Sequence, residues 1–289
     1  MNNNQLVVTS AGGTVGTQIV GQLAAIGAPV RALTHRNGNK AKDEKLPPGV
    51  PLVAVDYNDP ASLTDALRGA AKLVLITPGV LNQADLARTL VEAALAQGVG
   101  HIVVLSGLNV ESEPLGAIAR RLAEQEQVVR ESGIPCTFLR ASHFMQNLIN
   151  YYPPRPDGNF YLPVGEAKMS FVDARDIARV AVLALTEPGH EEKTYRLATV
   201  SHSLGEVAQT LSRVIGRPYQ YVGVPPSVVQ AGMEQYGVPP WMIAENLELF
   251  AAVKAGLAGI TAPDFATVTG RTPTDLSTFF ADYRVAFGG

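Results

Sequence analysis

A glycine-rich segment near the start of the chain has the residue types that bind phosphate. It follows the apolar run 5–9 and precedes a helical pattern at 14–26, and its members are Ser10, Gly12, Gly13, Thr14, Val15 and Gly16. Backbone N–H groups at a helix N-terminus bind anions, and glycine lets a pyrophosphate approach the main chain. The segment therefore predicts a dinucleotide-binding loop, with a tight structural turn as the alternative.

The end of the second apolar run indicates which dinucleotide this loop would serve. An acidic residue about 20 residues beyond the glycines would bind the ribose of NAD. Here the run Arg31–Thr34 continues into His35 and Arg36 without a carboxylate. A guanidinium suits a 2′-phosphate, so the sequence favours NADPH/NADP over NAD. A solvated loop charge is the alternative interpretation of Arg36.

The elements that must position these groups alternate along the first half of the chain. Apolar runs predict strands at 5–9, 30–34, 52–55, 73–77, 101–106 and 136–140. Helical patterns lie between most of them, at 14–26, 60–68, 83–97 and 115–132. Strands that are apolar on both faces are typical of a parallel sheet covered by helices. The predicted fold class is α/β, a Rossmann-type doubly wound parallel sheet.

The second half of the chain predicts a smaller lobe. We expect a dinucleotide-binding domain at 1–150 and a substrate-side lobe at 151–289 that is interleaved with it and does not fold independently. Within the lobe, strands are predicted at 194–200 and 219–224, and helices at 204–215, 226–236, 241–255 and 273–286. No internal repeat interrupts this pattern.

Composition excludes several classes of protein. Of the 289 residues 46% are hydrophobic and 17% charged, which supports a large core, and the net charge of −3 provides no basic field for nucleic acid. Cys136 is the only cysteine, so a disulfide framework and a cysteine-built zinc site are excluded. No signal peptide or membrane span is predicted, and we expect a cytoplasmic protein without membrane contact. The oligomeric state stays open, with a homodimer as one option.

Further short motifs extend over nearly the whole chain. Besides the glycine loop and Arg36 they are Asp56-Tyr57, Thr77-Pro78, the runs 132–135, 137–140, 144–147, 174–178, 185–190 and 193–195, and Gly270-Arg271-Thr272-Pro273. Together they resemble the NmrA-like family of atypical short-chain dehydrogenases/reductases. That family includes NAD(P)H-dependent quinone and triphenylmethane-dye reductases, and also redox-sensing regulators that bind the dinucleotide without catalysis.

The resemblance implies roles for several of these residues. The loop would line the pyrophosphate, Arg36 would bind the adenosine phosphate, and Asp56 and Tyr57 would lie near the adenine. The residues implied for the nicotinamide half are Thr77, Pro78, Ser106, Ser142 and Phe144. The alternatives are that Thr77 and Ser106 cap strand ends and that Phe144 belongs to the core. Ser10 departs from the family, which commonly has glycine at that position.

The chain also departs from the family's proton chemistry. It contains no Tyr-x-x-x-Lys, and Leu122 stands where related reductases often carry Lys or His. Leucine cannot donate a proton, so His143 is the candidate acid, with a structural histidine as the alternative. Tyr152 and Trp241 are candidates for a flat apolar substrate surface, although packing of the lobe explains them equally well.

Two functions of different classes follow. The first is an NADPH-dependent oxidoreductase that passes hydride to a planar conjugated acceptor, such as a quinone, a dye or an enone, since the cofactor carries that chemistry. The second is a non-catalytic NAD(P)-binding redox sensor, which Leu122 would also suit. An aromatic or quinonoid small molecule is the expected partner, and direct nucleic-acid binding is not.

Overall fold

Strands and helices alternate between residues 52 and 141. A computed structural model describes residues 4–35, 45–108, 110–111 and 116–289. Its strands are β1 (Gln5–Val8), β2 (Val30–His35), β3 (Leu52–Val55), β4 (Ala70–Leu75), β5 (His101–Gly107), β6 (Cys136–Ala141), β7 (His143–Phe144), β8 (Asn159–Leu162), β9 (Lys168–Val172), β10 (Lys193–Leu197), β11 (Val200–Ser203) and β12 (Gln220–Gly223).

The helices fall between these strands and at the end of the chain. They are α1 (Thr14–Ala25), α2 (Pro60–Ala66), α3 (Gln83–Ala96), α4 (Ala117–Glu131), α5 (Asn147–Asn150), α6 (Ala174–Thr186), α7 (Leu204–Ile215), α8 (Pro226–Gln235), α9 (Pro240–Lys254), α10 (Asp264–Thr269) and α11 (Leu276–Asp282), before a 3₁₀ turn at Arg284–Phe287. Within the described part of the chain, none of them is long and apolar enough to cross a membrane.

The chain divides into two units. The first consists of Met1–Glu111, Ala119–Arg140 and Ala174–Tyr195, and the second of Ser112–Ile118, Ala141–Asp173 and Arg196–Gly289. The first unit thus includes α6, which lies beyond the boundary predicted at residue 150, because α6 packs along α1. Whether the residues after 150 can fold alone stays a prediction.

The seven-stranded sheet has the predicted doubly wound order. Its strands run β10-β6-β5-β4-β1-β2-β3, and the pairs β3–β2, β2–β1, β1–β4 and β4–β5 are parallel. From β1 the chain builds outward through β2 and β3, then returns to add β4 on the other side. The carboxyl ends of β1 and β4 therefore flank the point where the strand order reverses, which is where open α/β sheets bind their ligands.

Burial explains why these segments form a covered sheet. All six residues of β6 are buried, as are three of the four in β1, so both faces of these strands are shielded from water. On α1 the buried side chains include Val15, Ile19 and Leu23, which recur at helical spacing and face the sheet. Burying each such side chain fully contributes about 1.5–3 kcal/mol.

The second unit has its own core and two small sheets. The sheet orders are β11-β9-β7 and β12-β8, and α7 and α11 pack together over a cluster that contains Phe160, Phe171 and Phe280. Helix α7 occupies the predicted range 204–215, and Ser203 and Glu206 form a capping box at its start. The strand predicted at 194–200 was wrong in part, because the chain leaves the large sheet after Leu197 and joins the small one at Val200. The helix predicted at 273–286 begins at Leu276 and ends at Asp282, and α10 was not predicted.

Candidate functional site

A threonine joins the two strands at the point where the strand order reverses. The Thr9 hydroxyl donates towards the carbonyl oxygens of Val74 (3.1 Å) and Ile76 (2.9 Å), and its oxygen accepts the Ile76 N–H at 2.8 Å. Thr9 is fully buried, so these bonds are shielded from water. The carboxyl ends of β1 and β4 are thereby held together directly beneath the glycine-rich loop.

The first residue of the loop, Ser10, has a left-handed backbone with φ of 48°. Its N–H donates to the Tyr57 hydroxyl at 2.8 Å, and its own hydroxyl donates to the Ile76 carbonyl at 2.8 Å. Its carbonyl oxygen accepts the Gly13 N–H at 2.9 Å. The loop after β1 is therefore bonded to the segments that follow β3 and β4.

Two glycines of the loop are required by close backbone contacts. A Cβ on Gly16 would lie 2.4 Å from the Ser10 carbonyl oxygen and 2.9 Å from the Ala11 Cα, and one on Gly13 would lie 3.1 Å from that same oxygen. Gly13 is also the N-cap of α1 and brings no side-chain acceptor to the N–H groups of the first turn. Bare backbone at an uncapped helix N-terminus fits the pyrophosphate of a dinucleotide.

The remaining loop residues would contribute mainly main-chain groups. Val15 is buried in the core of the first unit, so only its backbone faces the loop, whereas Gly12 and Thr14 are partly exposed. The structure brings Ser10, Gly13 and Gly16 together at the amino end of α1. Their contact with a cofactor stays a prediction.

The two residues predicted to lie near the adenine, Asp56 and Tyr57, follow β3 and adjoin the end of β2. The rings of His35 and Tyr57 stack with centroids 6.0 Å apart and planes inclined by 14°. The Asp56 carboxylate accepts the Asn58 N–H at 2.9 Å, which shapes the turn that follows β3. Arg36, the predicted ligand of the 2′-phosphate, lies outside the described residues.

A buried network of side chains joins the ends of β4 and β5. The Thr77 hydroxyl donates to the Gln125 Oε1, and it accepts a bond from the Gln83 Nε2 at 2.8 Å. Gln83 Nε2 also donates to Gln125 Oε1 at 3.1 Å, and Gln125 Nε2 donates to the Leu105 carbonyl at 3.0 Å. Because a carbonyl can only accept, the orientation of the Gln125 amide is determined. The Thr77 hydroxyl therefore donates its proton to Gln125, and it could only accept a hydrogen bond from a ligand.

We expect Gln125→Leu to lower the free energy of unfolding by about 2–4 kcal/mol, because the Leu105 carbonyl and the Thr77 and Gln83 groups would lose buried partners. Urea denaturation measures this change. Gln127→Leu is the matched control, since that glutamine is exposed on the same helix and its loss should stay within about 0.5 kcal/mol. Equal effects of the two substitutions would contradict the importance of the network.

The end of β5 has a buried hydroxyl next to an apolar side chain. Ser106 is 5% exposed, and its Oγ has no hydrogen-bond partner among the residues that the structure describes. A Cβ on Gly107 would lie 2.8 Å from the Leu122 Cδ1, so the leucine side chain packs directly onto the strand end. A buried hydroxyl without a partner is costly, so Ser106 stays a candidate for ligand contact. Position 122 thus faces the predicted nicotinamide end of the unit and supplies no proton there.

The second unit carries the remaining residues predicted for the nicotinamide side. His143 and Phe144 form β7, which pairs in parallel with β9 through Phe171 and Val172. The Ser142 N–H donates to a backbone carbonyl at 3.0 Å. Within the described part of the chain, the buried Ser142 Oγ and the buried His143 Nε2 have no hydrogen-bond partner. Phe144 is partly exposed, unlike the core residues that surround Phe171. Roles for these three residues stay predictions.

The environment of His143 disfavours its predicted role as a proton donor. Burial lowers the pKa of the imidazole from 6.5 to about 4, and a hydrogen bond with the Ser170 backbone opposes this only in part. The ring is therefore neutral at pH 7. A group that has already lost its proton cannot act as the general acid at that pH.

The same pKa predicts a loss of stability in acid. The unfolded chain takes up a proton near pH 6.5 and the folded one only near pH 4, so the native state loses stability as the pH falls between these values. The difference corresponds to about 3 kcal/mol. Unfolding experiments from pH 7 to pH 4 should show that His143→Gln removes most of this loss. His202→Gln is the control, because the His202 ring is not buried, and this variant should still lose stability in acid. An unchanged acid profile in His143→Gln would contradict the assignment of the loss to His143.

The two candidate substrate residues lie in different parts of the second unit. Tyr152 packs against the apolar cluster, and burial raises the pKa of its hydroxyl. Trp241 is the second residue of α9 and is partly exposed. Tyr152 therefore contributes to the core of the lobe, and substrate contact by either residue stays a prediction. Among the described residues no cluster of His, Cys, Asp or Glu could hold a metal ion.

Comparison with known proteins gives consistent results over the length of the chain. A model of the NmrA-like family matches residues 2–269. The NAD(P)H azoreductase of Xenophilus azovorans is 38% identical over 288 residues, which cover 98% of this chain and 99% of that protein. The NADPH-dependent quinone oxidoreductase of Escherichia coli, solved with NADPH, has a TM-score of 0.84 at 26% identity, covering 96% of this chain and 99% of the other. The triphenylmethane reductase of a Citrobacter species, solved with NADP(H), has a TM-score of 0.81 at 26% identity, with the same coverage of both chains.

Proposed function

This chain belongs to the NmrA-like family, and from that membership we propose that it is an NAD(P)H-dependent reductase of planar conjugated acceptors. Relatives named as reductases of azo compounds, quinones and triphenylmethane dyes support the activity and the class of small-molecule acceptor. The dinucleotide would be held by the loop from Ser10 to Gly16 and by the N–H groups of the first turn of α1.

The proposed class of acceptor rests on one observation, the packing of Leu122 against Gly107 at the end of β5. No side chain at this position can deliver a proton, and His143 is neutral at pH 7 because its pKa is about 4. When bound, the nicotinamide supplies a hydride, which a quinone takes up with one proton from water and a cationic triphenylmethane dye takes up alone. Such acceptors need alignment and exclusion of water more than they need an enzyme acid.

The unpartnered Ser106 hydroxyl suits the same reaction. Its oxygen is buried at the end of β5, where it can orient a polar group of the bound dinucleotide or the acceptor. Thr77 offers a single acceptor position on the neighbouring strand end, because its proton is committed to Gln125. These two groups orient ligands and leave hydride transfer to the cofactor.

NADPH is the proposed reductant, on the basis of Arg36 and of the missing acid at the end of β2. We expect Arg36→Ala to weaken NADPH binding by about 10- to 100-fold, the value of a charge-assisted pair, and to change NADH binding less than about twofold. Fluorescence titration with both cofactors measures this. Arg68→Ala removes an exposed arginine paired with Asp65 and should change neither. Equal losses for NADPH and NADH in Arg36→Ala would contradict the preference.

Anaerobic oxidation of NADPH with a panel of quinones and triphenylmethane dyes tests the activity itself. We expect turnover with several planar acceptors and none with simple ketones, whose reduction needs an acid. Tight NADPH binding without turnover on any acceptor would favour the redox sensor instead. A sensor would also have to bind NADP⁺ and NADPH with different affinities, because only a difference can shift an equilibrium. A cytoplasmic location and a homodimer stay predictions.

A further inference from the structure

The phosphate-binding loop begins with a residue in an unfavourable backbone conformation. Among the described residues, Ser10 and Glu192 are the non-glycine residues with positive φ, and Ser10 is the one in the loop. A left-handed backbone brings the Cβ of an L-residue too close to its own peptide, which costs free energy that glycine avoids. Something outside the loop must therefore hold Ser10 in place.

The hydrogen bonds at Ser10 form an ordered chain of donors and acceptors. The serine hydroxyl donates to the Ile76 carbonyl at 2.8 Å, which can only accept. The Tyr57 oxygen accepts the Ser10 N–H at 2.8 Å and lies 3.4 Å from the Ser10 Oγ. The proton of Tyr57 is thus free to point at the serine oxygen, and the side chain engages Ser10 at both its backbone and its hydroxyl.

Tyr57 is well suited to hold a loop. It is 2% exposed, so its hydroxyl cannot exchange its partners for water. Burial also raises the pKa of this hydroxyl, which keeps it protonated as a donor at neutral pH. Its ring stacks on His35, at the end of β2, and thereby fixes the direction of the side chain.

The position of Ser10 controls the surface on which α1 begins. Its carbonyl oxygen accepts the Gly13 N–H and lies where a Cβ on Gly16 would come within 2.4 Å. Any rotation of the Ser10 peptide would move that oxygen into the first turn of α1 or away from it. The helix N-terminus and the Ser10 peptide therefore move together, because packed backbone has no room to deform.

We propose that Tyr57 is a positioning residue that holds the phosphate-binding loop in its binding conformation by acting through Ser10. The inference rests on the proposed function to the extent that a dinucleotide binds at this loop. It assigns to Tyr57 an effect on the pyrophosphate end of the ligand, separate from any contact of its ring with adenine. It also explains how serine is tolerated at a left-handed position.

A double-mutant cycle between the two residues tests the proposal. Tyr57→Phe, Ser10→Gly and the double variant are titrated with NADPH by fluorescence, and the melting temperature of each protein is measured without ligand. We expect Tyr57→Phe to raise the Kd for NADPH about tenfold when serine is present and less than about twofold when glycine is present, because glycine adopts the conformation unaided. The melting temperature should fall in both backgrounds, since the N–H loses its acceptor in both. Equal increases in Kd in the two backgrounds would overturn the proposal, and so would no increase with serine.

A second probe separates the loop from the adenine. Adenosine 2′-phosphate carries the adenine and the 2′-phosphate without a pyrophosphate, and its affinity is measured by displacement of NADPH. We expect Tyr57→Phe to change this affinity less than about twofold relative to the parent protein. A tenfold loss would show that Tyr57 acts by contacting the adenine and would overturn the proposal. Should Tyr57→Phe fail to fold, Ser10→Ala in the parent protein provides the test, because it keeps the strained backbone and removes the serine oxygen that the Tyr57 hydroxyl faces at 3.4 Å. It must weaken NADPH binding, and unchanged binding would overturn the proposal.

The titrations need no acceptor and thus distinguish the two proposals. If the parent protein binds NADPH with the expected coupling but reduces no acceptor, the proposed function fails and the role of Tyr57 holds. If turnover is found without coupling between Ser10 and Tyr57, the role of Tyr57 fails and the proposed function holds.

Discussion

Gly16→Ala is expected to weaken NADPH binding severely and to lower the melting temperature substantially. The added Cβ would lie 2.4 Å from the Ser10 carbonyl oxygen and 2.9 Å from the Ala11 Cα, and both are backbone atoms that cannot turn aside. Relief requires α1 to move away from β1, which displaces the N–H groups that would bind the pyrophosphate. We expect the Kd for NADPH to rise at least about 100-fold, a loss of about 3 kcal/mol.

Gly21→Ala on the same helix is the matched control. No atom lies within 4 Å of a Cβ at Gly21, so the substitution only replaces glycine by a better helix former. It should stabilise the protein by about 0.5–1 kcal/mol and leave NADPH binding unchanged. Calorimetry and fluorescence titration of the two variants provide the comparison. If Gly16→Ala bound NADPH as the parent protein does, the cofactor would not lie at this loop.

Arg140→Met is expected to cause the largest loss of stability in the first unit. The Arg140 Nε and Nη2 donate to the two oxygens of Glu126 at 2.9 and 2.6 Å, and both side chains are less than 10% exposed. Removing the arginine leaves a buried carboxylate with one weaker partner, Arg130, at 3.3 Å. Breaking a buried pair in this way costs about 3–5 kcal/mol.

Urea denaturation of two further variants distinguishes pairing from simple packing. Arg130→Met should cost less than about 1 kcal/mol, because that arginine is 43% exposed. Arg140→Met combined with Glu126→Leu should recover most of the loss, since no charge then stays buried without a partner. A double variant as unstable as Arg140→Met alone would show that the arginine acts through its aliphatic packing. A stable Arg140→Met would contradict the account of the pair altogether.

Much of the fold could be predicted because strand patterns are local. Cys136–Ala141 and Gln5–Val8 are apolar runs bounded by turn signals, and such runs report burial on both faces. The strand predicted at 194–200 was harder, because this run contributes to two sheets and the change after Leu197 depends on neighbours distant in sequence. Helix α10 is too short for a periodic pattern to indicate it.

Parts of the candidate site could likewise be predicted from the sequence, and other parts could not. The loop at Ser10–Gly16 was predictable because strand, glycines and helix are adjacent in sequence. The network of Thr77, Gln83 and Gln125 was missed because its members are up to 48 residues apart. One signal was available: Gln125 lies three residues after Leu122 and three before Val128, on the apolar face of α4, where a polar side chain is expected to have a buried partner.

The substitution at Ser10 shows what a local pattern leaves out. Its sequence neighbours indicate only that serine restricts a turn that glycine would allow. The structure supplies the compensation from Tyr57, which follows another strand, and from the carbonyl of Ile76, which follows a third. The pKa of His143 is equally a property of its surroundings, since the spacing of residues carries no information about desolvation.

The most direct test of the central claim is transfer of deuterium from labelled NADPH to a cationic triphenylmethane dye. Hydride adds to the central carbon of the dye, where the label does not exchange with water. Two NADPH preparations, each labelled at one of the two C4 positions, are incubated anaerobically with the protein, with Gly16→Ala as the negative control. We predict a colourless product one mass unit heavier from one preparation only, because a rigid site presents one face of the nicotinamide. Binding of NADPH without bleaching of the dye or transfer of label from either preparation would contradict hydride transfer to a cationic dye and favour the dinucleotide sensor.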